Sequence, residues 1–512
     1  MGQGILPFEY VRGARRGGGT ALGGLPLFVE LACASRLWSS VKEHVVVCSE
    51  EQGWTDEQMV MALVMLNLAG GDCVDDIRVL EHDEGFCRAW RMAEQRHLGP
   101  GEHSSSDARF RRGRVRTLPA PTSILRFLNA FHDADQERLR VAGHAFIPAP
   151  DQALKGLAAV NAGLVAYAQS ISAERVATLD MDATLIETYK KDALKSYKGY
   201  RAYQPMNVHW AERGMVVHTE FRDGNVPAGH EQLRVLKECL KELPEGVRTV
   251  RLRSDTAGYQ WELLHYCARG WNERFGRIEF AVGCDASEPF RDAAAAVEPG
   301  AWRPVYRIAD GVRLKTDREW AEVPYVPQDA AEHRDDPDYR FIAIREVLAQ
   351  PTLPHVPADQ LALPFPTMAT AGSDGTRTYK LFGLVTNLAW KGGRIVRWLY
   401  ERCGKSEEIH SVQKGDLAGG TLPCAEFGAN AAWWQVMVLA LNLSVILKRL
   451  VLAEHWANRR MKALRFCLLG LPGSWTTHAR STNLKVSTDD RTFAELLAAR
   501  KRIAAIALAA PP

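Results

Sequence analysis

The sequence lacks the cysteine spacings that build zinc sites or disulfide frameworks. Its ten cysteines include no Cys-x2-Cys pair and no Cys/His ligand pattern. Most stand in apolar segments, as Cys33 does in ELACASRLW and Cys467 does in RFCLLG. Cysteines in such surroundings are typical of small core residues in a reducing compartment. A disulfide-stabilised secreted domain and a zinc-finger protein are therefore excluded.

The sequence also has little excess of positive over negative charge and lacks long apolar runs. The net charge is only +3 over 512 residues, so any affinity for polyanions depends on local patches. The N-terminus lacks the basic-then-apolar pattern of a signal peptide. The membrane candidate AAWWQVMVLALNLSVIL (431–447) is interrupted by Gln435, Asn442 and Ser444, and its apolar runs fall far short of about 18 residues. We predict a buried core helix there, no membrane partner and a cytoplasmic location.

Composition and pattern changes divide the chain into regions. A hydrophobic content of 46 % and a charged content of 24 % describe a globular protein, and the length suggests about three domains. The predicted regions are a flexible Gly- and Arg-rich N-terminus (1–24), an α-helical region (25–150), a catalytic core in two parts (165–299 and 379–455) interrupted by a β-rich insertion (300–378), and a helical, basic C-terminal region (456–512).

The order of elements after residue 175 predicts the fold class. Three alternating segments, ERVATLDMDATLIETY, YRAYQPMNVHWAE and RGMVVHTEFRDGN, read as strands joined by polar turns. The rest of the first core part reads as helix, strand, helix and strand. The order β-β-β-α-β-α-β is typical of a ribonuclease-H-like layer fold. We therefore predict an α/β (α+β) protein, with a mixed-sheet catalytic domain preceded by a helical domain.

Acidic residues stand at the ends of two of these strands. Asp180 and Asp182 alternate with apolar residues, so both carboxylates point to one side of the first strand. Asp255 follows the fourth strand, VRTVRLRS, which neighbours the first in a sheet of this order. Carboxylates held close together repel each other unless a hard divalent cation neutralises them. Turn capping by each aspartate alone is the alternative.

A third acid lies on a segment with helical spacing. Tyr400, Cys403, Glu407, His410 and Lys414 recur at intervals of three and four, which predicts one helix face. A carboxylate, an imidazole and an ammonium in line do not form an apolar core stripe, because unpaired burial costs several kcal/mol. Three acids on two strands and a helix indicate two-metal phosphoryl transfer, in which one ion activates the attacking oxygen and the other stabilises the leaving oxygen.

An arginine cluster is the clearest basic patch in the sequence. The segment DARFRRGRVR (107–116) holds five arginines within eight positions, together with Phe110. Its five members are Arg109, Arg111, Arg112, Arg114 and Arg116. Such a segment is either a solvated basic loop or an arm that contacts phosphates, and we favour the second interpretation.

Together these motifs resemble the DDE transposases of bacterial insertion sequences, in the group with a β-rich insertion before the third acid. The matching segments are LDMDATLIE (179–187), YKGYRAYQPMNV (197–208), FRDGNVPAGHE (221–231), RLRSDTAG (251–258), YERCGKSEEIHSVQKGDLAGGTLP (400–423), FGANAAWW (427–434) and LALNL (439–443). They span about 165–455, and the helical N-terminal region is compatible with this resemblance.

The resemblance implies a catalytic triad of Asp182, Asp255 and Glu407 that binds two Mg²⁺ or Mn²⁺ ions. Alignment of DATL with the family's Asp-Gly-Thr-Thr-Leu strand favours Asp182 as the first acid, with Asp180 as a plausible substitute metal ligand. Glu408 lies about 100° round a helix from Glu407, away from the face of its neighbours, so Glu407 is preferred.

Family members carry a Tyr-x2-Arg-x3-Glu-x6-Lys pattern on the helix of the third acid. Tyr400, Glu407 and Lys414 fit this spacing, but Cys403 stands where the arginine belongs. We expect Arg402 or Lys405 to replace it, and Tyr400 and Lys414 to face the DNA. By the same analogy, Trp302 or Trp320 of the insertion stacks on a displaced base, with core packing as the alternative.

The resemblance also implies the partners and the reaction. The partners are double-stranded DNA, as terminal inverted repeats and as target, and a second copy of the chain when bound to DNA. Region 25–150 and its arginine arm bind the repeats. Cleavage frees a 3′-hydroxyl, which then attacks the target DNA, and the protein works at the bacterial nucleoid.

Two other interpretations remain open. LDMDATLIET also resembles the first motif of haloacid-dehalogenase-type phosphatases, in which Asp180 is the nucleophile and Ser254 belongs to the second motif. Against this, Ala183 replaces the usual glycine and the helix at 400–423 is left unexplained. The other is an inactive, transposase-derived DNA-binding protein.

Overall fold

The fold is described from a computed structural model of the 512-residue chain. The residues described are 18–47, 53–97, 116–141, 143–309, 311–325, 327, 339–347, 367–372, 375–478 and 481–509. The strands, in chain order, are β1 (Gly19–Thr20), β2 (Val176–Ala183), β3 (Ile186–Glu187), β4 (Ala202–Tyr203), β5 (Met206–Trp210), β6 (Met215–Glu220), β7 (Thr249–Ser254), β8 (Glu279–Cys284), β9 (Arg303–Ala309), β10 (Val312–Val323), β11 (Arg340–Val347), β12 (Thr367–Gly372), β13 (Gly375–Thr386), β14 (Gly473–His478) and β15 (Ser481–Val486).

Helices precede, interrupt and follow these strands. The α-helices are Pro26–Ala34, Leu37–His44, Asp56–Ala69, Ile77–His82, Glu84–His97, Pro121–Asn129, Ala134–Arg138, Gln152–Ile171, Gln232–Glu242, Trp261–Arg269, Glu288–Ala295, Gly392–Tyr400, Lys405–Ser411, Phe427–Ile446, Met461–Leu464 and Asp490–Ala509. Short 3₁₀ turns cover Val74–Asp76, Thr256–Gly258, Pro299–Ala301, Ala418–Gly420 and Glu454–Trp456. Turns of π-helix cover Val412–Asp416, Leu447–Val451 and Arg465–Leu469.

The chain divides into two compact units. The first, here called the helical unit, comprises Met1–Asp133, Pro150–Ile171 and Val412–Pro512. The second, here called the sheet unit, comprises Ala134–Ala149 and Ser172–Ser411. The predicted end of the α-helical region, at residue 150, lies next to a unit boundary, whereas the predicted second core part, 379–455, is shared between the two units.

The sheet unit is built on one large mixed sheet. Its strand order is β6-β5-β2-β7-β8-β13-β11-β10-β9, and β12 pairs with β13. β2 runs antiparallel to β5 and parallel to β7, and β7 runs parallel to β8. The first five strands of the unit's sheet therefore stand in the order third, second, first, fourth, fifth. This confirms the prediction of a ribonuclease-H-like sheet.

The β-rich stretch before the third acid belongs to the same sheet. β13 pairs antiparallel with β8 at one edge and with β11 at the other, so β9–β13 lengthen the core sheet instead of forming a separate one. Helix Gly392–Tyr400 packs its buried residues Ile395 and Val396 against this extension, in a cluster with Ile342, Ile344 and Leu384. This packing places the start of the third-acid segment.

The membrane candidate of the sequence analysis, segment 431–447, is buried inside the helical unit. The helical stretch Phe427–Val451 is long and apolar enough to cross a membrane, but 83 % of its apolar window is buried inside the protein. It packs against helices Gln152–Ile171 and Asp56–Ala69, and the Asn442 amide donates to Asn161 Oδ1 at 2.7 Å. The Ser444 hydroxyl donates to the Leu441 carbonyl at 2.7 Å, so Asn442 and Ser444 both have partners within the core, as a buried helix requires.

The C-terminal region departs from the predicted helix. β14 and β15 form an antiparallel hairpin, and β1 pairs with β14. Trp475 on β14 donates its indole N–H to the carbonyl of Gly85 at 2.8 Å. Alternating Thr, Ser and Trp side chains favour this extended conformation, and the prediction of a wholly helical region 456–512 was wrong here.

Candidate active site

The parallel pairing of β2 with β7 brings the first two acids to one end of the sheet. The register places Asp180 opposite Arg253. Two residues further along each strand lie Asp182, near the end of β2, and Asp255, directly after β7. Because residues two apart share a face of a strand, all four side chains lie on one face. Asp182 and Asp255 are therefore neighbours at the carboxyl ends of adjacent parallel strands.

The carboxylate of Asp180 forms a buried ion pair with Arg253. Arg253 donates from Nε to Asp180 Oδ1 at 2.6 Å and from Nη2 to Oδ2 at 2.8 Å. The two side chains are 4 % and 3 % exposed. The third guanidinium nitrogen donates to the carbonyl of Trp398 at 2.6 Å. Both oxygens of Asp180 are thus engaged, and this carboxylate ties β2 to β7 and to helix Gly392–Tyr400.

Asp182 is the more accessible of the two acids on β2. Its side chain is 22 % exposed, and Oδ2 lies 3.1 Å from Arg402 Nη2. Burial, together with a smaller effect of the negative charge of Asp255, raises the pKa of Asp182 from its ordinary 3.8 to about 6, against the opposing effect of Arg402. The electrostatic influence of Asp255 on this pKa agrees with their placement at the sheet end.

Asp255 stands at a tight turn that a glycine on the next strand permits. Its Oδ1 accepts a hydrogen bond from the Ala257 N–H at 3.0 Å, which caps the 3₁₀ turn Thr256–Gly258. A Cβ at Gly283 on β8 would lie 3.0 Å from the Thr256 nitrogen and 3.2 Å from the Asp255 carbonyl carbon. Turn capping and catalysis do not exclude each other here, because Oδ2 of Asp255 is not used by the cap.

The third-acid segment is broken where one helix was predicted. Helix Gly392–Tyr400 ends at Tyr400, and helix Lys405–Ser411 begins after a turn in which Gly404 has φ +82°. The left-handed conformation of Gly404 interrupts the helix, and within this turn the Arg402 side chain points inward and also donates to the Met181 carbonyl at 3.2 Å. The prediction of one continuous face from Tyr400 to Lys414 was wrong.

Glu407 lies in the first turn of the second helix and is exposed. Its neighbour Glu408 is paired with Lys405 at 3.3 Å, in a pair that is largely exposed to solvent. Such surface pairs stabilise little. The choice of Glu407 over Glu408, and the choice of Lys405 as a DNA contact, stay predictions.

Tyr400 and Lys414 differ in their surroundings. The Arg318 guanidinium lies 5.0 Å from the Tyr400 ring centre, and burial raises the pKa of the Tyr400 phenol to about 12 despite that positive charge. Tyr400 also borders the apolar cluster under its own helix. Lys414 lies in the π-helical turn Val412–Asp416, in the helical unit. Their contacts with DNA stay predictions.

The arginine arm falls mostly outside the described residues. Of its five arginines, the described residues include only Arg116, whose Nε donates to the Leu118 carbonyl at 3.4 Å. The other four, Arg109, Arg111, Arg112 and Arg114, lie outside the described residues.

The two tryptophans of the insertion pack against other residues of the protein, with Trp302 buried and Trp320 partly buried. Trp302 is 7 % exposed, and the Arg345 guanidinium lies 4.1 Å from the centre of its ring. Trp320 lies against Gly392 and Gly393, where a Cβ would meet its ring at 2.2 and 2.9 Å. Core packing, the alternative to base stacking, describes both.

The acids at the sheet end suit a hard divalent cation. Carboxylate oxygens are preferred ligands of Mg²⁺ and Mn²⁺, and a cation beside Asp182 would offset both its burial and the charge of Asp255. In the described residues, the one group of three such ligand atoms within 4.8 Å of one another is Asp72, Cys73 and Asp76. In this group the Asp76 carboxylate accepts hydrogen bonds from the backbone N–H groups of Asp72 and Cys73 and so caps the turn. Convergence of Asp182, Asp255 and Glu407 on shared ions stays a prediction.

Arg253 and Gly283 are the site residues that the sequence analysis missed. The sequence did contain a signal for Arg253. β2 carries Asp-x-Asp and its parallel neighbour β7 leads into Arg-x-Asp, so the negative charge of Asp180 can pair with the positive charge of Arg253 when these two residues face each other. The role of Gly283 depends on the distance between β8 and the Asp255 turn, which no sequence spacing reveals.

A comparison with models of protein families gives a match over almost the whole chain. The family model for the transposase DDE domain, group 1, matches residues 10–507. No curated protein matches the chain significantly. Among solved structures, a cryo-EM structure of a piggyBac transposase synaptic complex with hairpin DNA is similar over 88 % of this chain and 81 % of that chain, with 11 % identity and a TM-score of 0.40. The family match extends across both compact units.

Proposed function

Because the chain belongs to the transposase family with a group 1 DDE domain, we propose that it cleaves and joins DNA at the ends of a bacterial insertion sequence. The observation that carries the proposal is the placement of Asp182 and Asp255 at adjacent strand ends, with the pKa of Asp182 raised by burial and by Asp255. A carboxylate in this state favours a cation as its neighbour.

We propose that Asp182, Asp255 and Glu407 hold two Mg²⁺ or Mn²⁺ ions. Bound ions would supply activation of the attacking oxygen and stabilisation of the leaving oxygen. The protein's own part is to hold the three carboxylates and the DNA in place. Arg402 holds Asp182 from the protein side, and Arg253 fixes the strand below it.

The reaction has two steps of the same kind. In the first, the oxygen of water forms a bond to the scissile phosphorus, the bond from phosphorus to the 3′ oxygen breaks, and that oxygen takes up a proton. In the second, the oxygen of the freed 3′-hydroxyl loses its proton and forms a bond to a phosphorus of the target DNA, while the bond from that phosphorus to the target strand's 3′ oxygen breaks and this oxygen takes up a proton. Two ends must be held together for this, so the working species is a homodimer on DNA at the nucleoid of a bacterial cytoplasm.

The phosphatase alternative fits the geometry poorly. Its nucleophile would be Asp180, but both oxygens of that carboxylate accept hydrogen bonds from Arg253, and the side chain is 3 % exposed. An attacking carboxylate needs an oxygen free to reach phosphorus. Asp182 and Asp255 are better placed to meet a substrate.

The test is a cleavage assay on the full-length protein. The DNA is a labelled duplex that carries one terminus of the gene's own flanking inverted repeats, incubated with Mg²⁺ or Mn²⁺. We expect cleavage at the terminus, its loss in Asp182→Asn, Asp255→Asn and Glu407→Gln, and its retention in the matched control Glu408→Gln.

A phosphomonoester assay runs beside it to separate the alternatives. Hydrolysis of p-nitrophenyl phosphate that disappears only in Asp180→Asn, with no DNA cleavage, would support the phosphatase. Sequence-specific binding of the termini without any cleavage under Mg²⁺ or Mn²⁺ would support the inactive, DNA-binding alternative.

A further inference from the structure

One exposed loop of the sheet unit is strongly basic. It comprises residues 188–201, TYKKDALKSYKGYR, and connects β3 to β4. Its cations are Lys190, Lys191, Lys195, Lys198 and Arg201, and its acid is Asp192. The loop's net charge of 5 − 1 = +4 compares with +3 for all 512 residues. A local excess of this size attracts polyanions.

Two tyrosines of the loop are unusually exposed. Tyr189 is 94 % exposed and Tyr197 is 77 % exposed, although aromatic rings are normally the parts of a protein most worth burying. Lys191, Lys195 and Lys198 are exposed beside them, and the Lys198 ammonium lies 5.8 Å from the Tyr197 ring centre. The surface thus alternates flat aromatic faces with ammonium groups.

The loop is nevertheless anchored to the sheet unit. The carboxylate of Asp223, whose side chain is 1 % exposed, accepts the Leu194 N–H at 2.9 Å and pairs with Arg140 at 2.8 Å. Arg201 donates to the carbonyl groups of Lys191 and Ala193. Asp223 and Arg140 thus hold the backbone of this surface loop in one conformation. Tyr197 and the lysines therefore have defined positions.

The loop begins beside the candidate active site. Its two-stranded stem, β3 with β4, follows β2 directly, and the Thr184 N–H donates to the Pro205 carbonyl at 3.0 Å where the stem leaves the sheet. Tyr189 is seven residues from Asp182, which limits their separation to about 25 Å. At about 3.4 Å per base pair, Tyr189 at the start of the loop lies within roughly seven base pairs of a phosphate held at Asp182.

We infer that loop 188–201 is a DNA-contact surface beside the cleavage site, which binds phosphates through Lys191, Lys195 and Lys198 and stacks an unpaired base on Tyr197. The inference rests on the proposed function. Alternating cations and aromatic rings fit a single-stranded nucleic acid, whose bases present flat faces between its phosphates. An acidic polypeptide would satisfy the lysines but leave the exposed tyrosine rings without a partner.

The phosphate contacts are tested by the salt dependence of DNA binding. The full-length protein is titrated against a labelled terminus duplex with a short single-stranded flank, at several salt concentrations. We expect the triple variant Lys191→Gln, Lys195→Gln, Lys198→Gln to reduce the slope of log affinity against log salt by about 2 to 3. The matched control removes three other exposed lysines, with Lys155→Gln, Lys241→Gln and Lys501→Gln, and should keep the wild-type slope.

The stacked base is tested with 2-aminopurine in the unpaired flank. Stacking on tyrosine should quench its fluorescence in the wild type and in Tyr197→Phe, and Tyr197→Ala should abolish the quenching and weaken binding by about 5- to 100-fold. Tyr197 is exposed, so the variants should unfold at the wild-type temperature. Polyglutamate that competes as well as single-stranded DNA, charge for charge, would contradict the inference.

The outcomes separate the loop from the proposed function. Wild-type protein that cleaves the termini while all loop variants bind and quench like it would overturn the loop inference alone. Wild-type protein that binds neither the terminus duplex nor single-stranded DNA would overturn both. Selective loss of quenching and salt slope in the loop variants supports the inference, whether or not cleavage is observed.

Discussion

Arg253 donates to both carboxylate oxygens of Asp180, at 2.6 and 2.8 Å, and each of the two residues lies two positions before a candidate catalytic acid, Asp182 on β2 and Asp255 directly after β7. The pair fixes the lateral spacing of β2 and β7 on the face where the acids lie. Through the Trp398 carbonyl it also ties this spacing to the helix that leads to the third acid. Asp180 is therefore a positioning residue, and its charge is balanced within the protein.

Removal of one partner of this pair should destabilise the protein strongly. Asp180→Asn or Arg253→Met leaves an uncompensated buried charge, which costs about 3–5 kcal/mol of unfolding free energy. Urea denaturation of the purified protein measures it. The matched control is Arg251→Met on the same strand, whose pair with Glu279 is partly exposed and should cost about 1 kcal/mol or less. Equal losses for Arg251 and Arg253 would contradict the structural role of the buried pair.

The sequence predicted the core of the sheet because the signals there are local. Alternating apolar residues marked β2, β5, β6, β7 and β8, and the order of elements was enough to place the first strand beside the fourth. The adjacency of Asp182 and Asp255 followed from that order. It did not require knowledge of any contact.

The parts that the sequence did not predict depend on tertiary contacts. Helical spacing from Tyr400 to Lys414 continues through 401–404, but the chain forms a turn there in which Gly404 has φ +82° and Arg402 contacts Asp182 and the Met181 carbonyl. These contacts join residues more than 200 positions apart. Likewise, β14 pairs not only with its neighbour β15 but also with β1, at the opposite end of the sequence, and this second pairing has no local signal.

Cation binding should depend on pH through Asp182, whose pKa is raised from 3.8 to about 6. Below about pH 6 the cation must displace a proton, so the half-saturating Mn²⁺ concentration should fall about tenfold per pH unit up to pH 6 and then level off. Titration calorimetry between pH 4.5 and 7.5 measures this. Asp182→Asn should remove the dependence together with most of the binding, and Glu408→Gln should keep both.

The same pKa predicts how stability changes with pH in the absence of cations. Since the folded protein holds the Asp182 proton more tightly than the unfolded chain, the stabilisation is complete below about pH 4 and is lost as pH rises through 6. The difference between 3.8 and about 6 corresponds to at most about 3 kcal/mol. In Asp182→Asn the unfolding free energy should fall less steeply between pH 4 and 6.5 than in the wild type. Identical pH profiles would exclude a raised pKa at Asp182.

Arg402 should set the pH range of cation binding. It lowers the pKa of Asp182, so Arg402→Ala should raise that pKa and move the levelling of Mn²⁺ affinity upward by about one pH unit. Arg402→Lys keeps the charge and should move it less. If Arg402 instead binds a DNA phosphate, Arg402→Ala should leave the pH profile of Mn²⁺ binding unchanged. It should then reduce the slope of log DNA affinity against log salt by about 1.

Gly283 should be required for the placement of Asp255. In Gly283→Ala the new Cβ would lie 3.0 Å from the Thr256 nitrogen and 3.2 Å from the Asp255 carbonyl carbon, so the turn must shift by a few tenths of an ångström. Catalytic geometry is sensitive to such shifts, with losses of about 100-fold for a displacement of about 1 Å. We therefore expect DNA cleavage to fall by about tenfold, with a higher half-saturating Mn²⁺ concentration. The matched control, Gly300→Ala, adds its Cβ where nothing lies within 4 Å and should cleave like the wild type. A Gly283→Ala protein that loses stability but binds Mn²⁺ normally would show that the glycine serves packing alone.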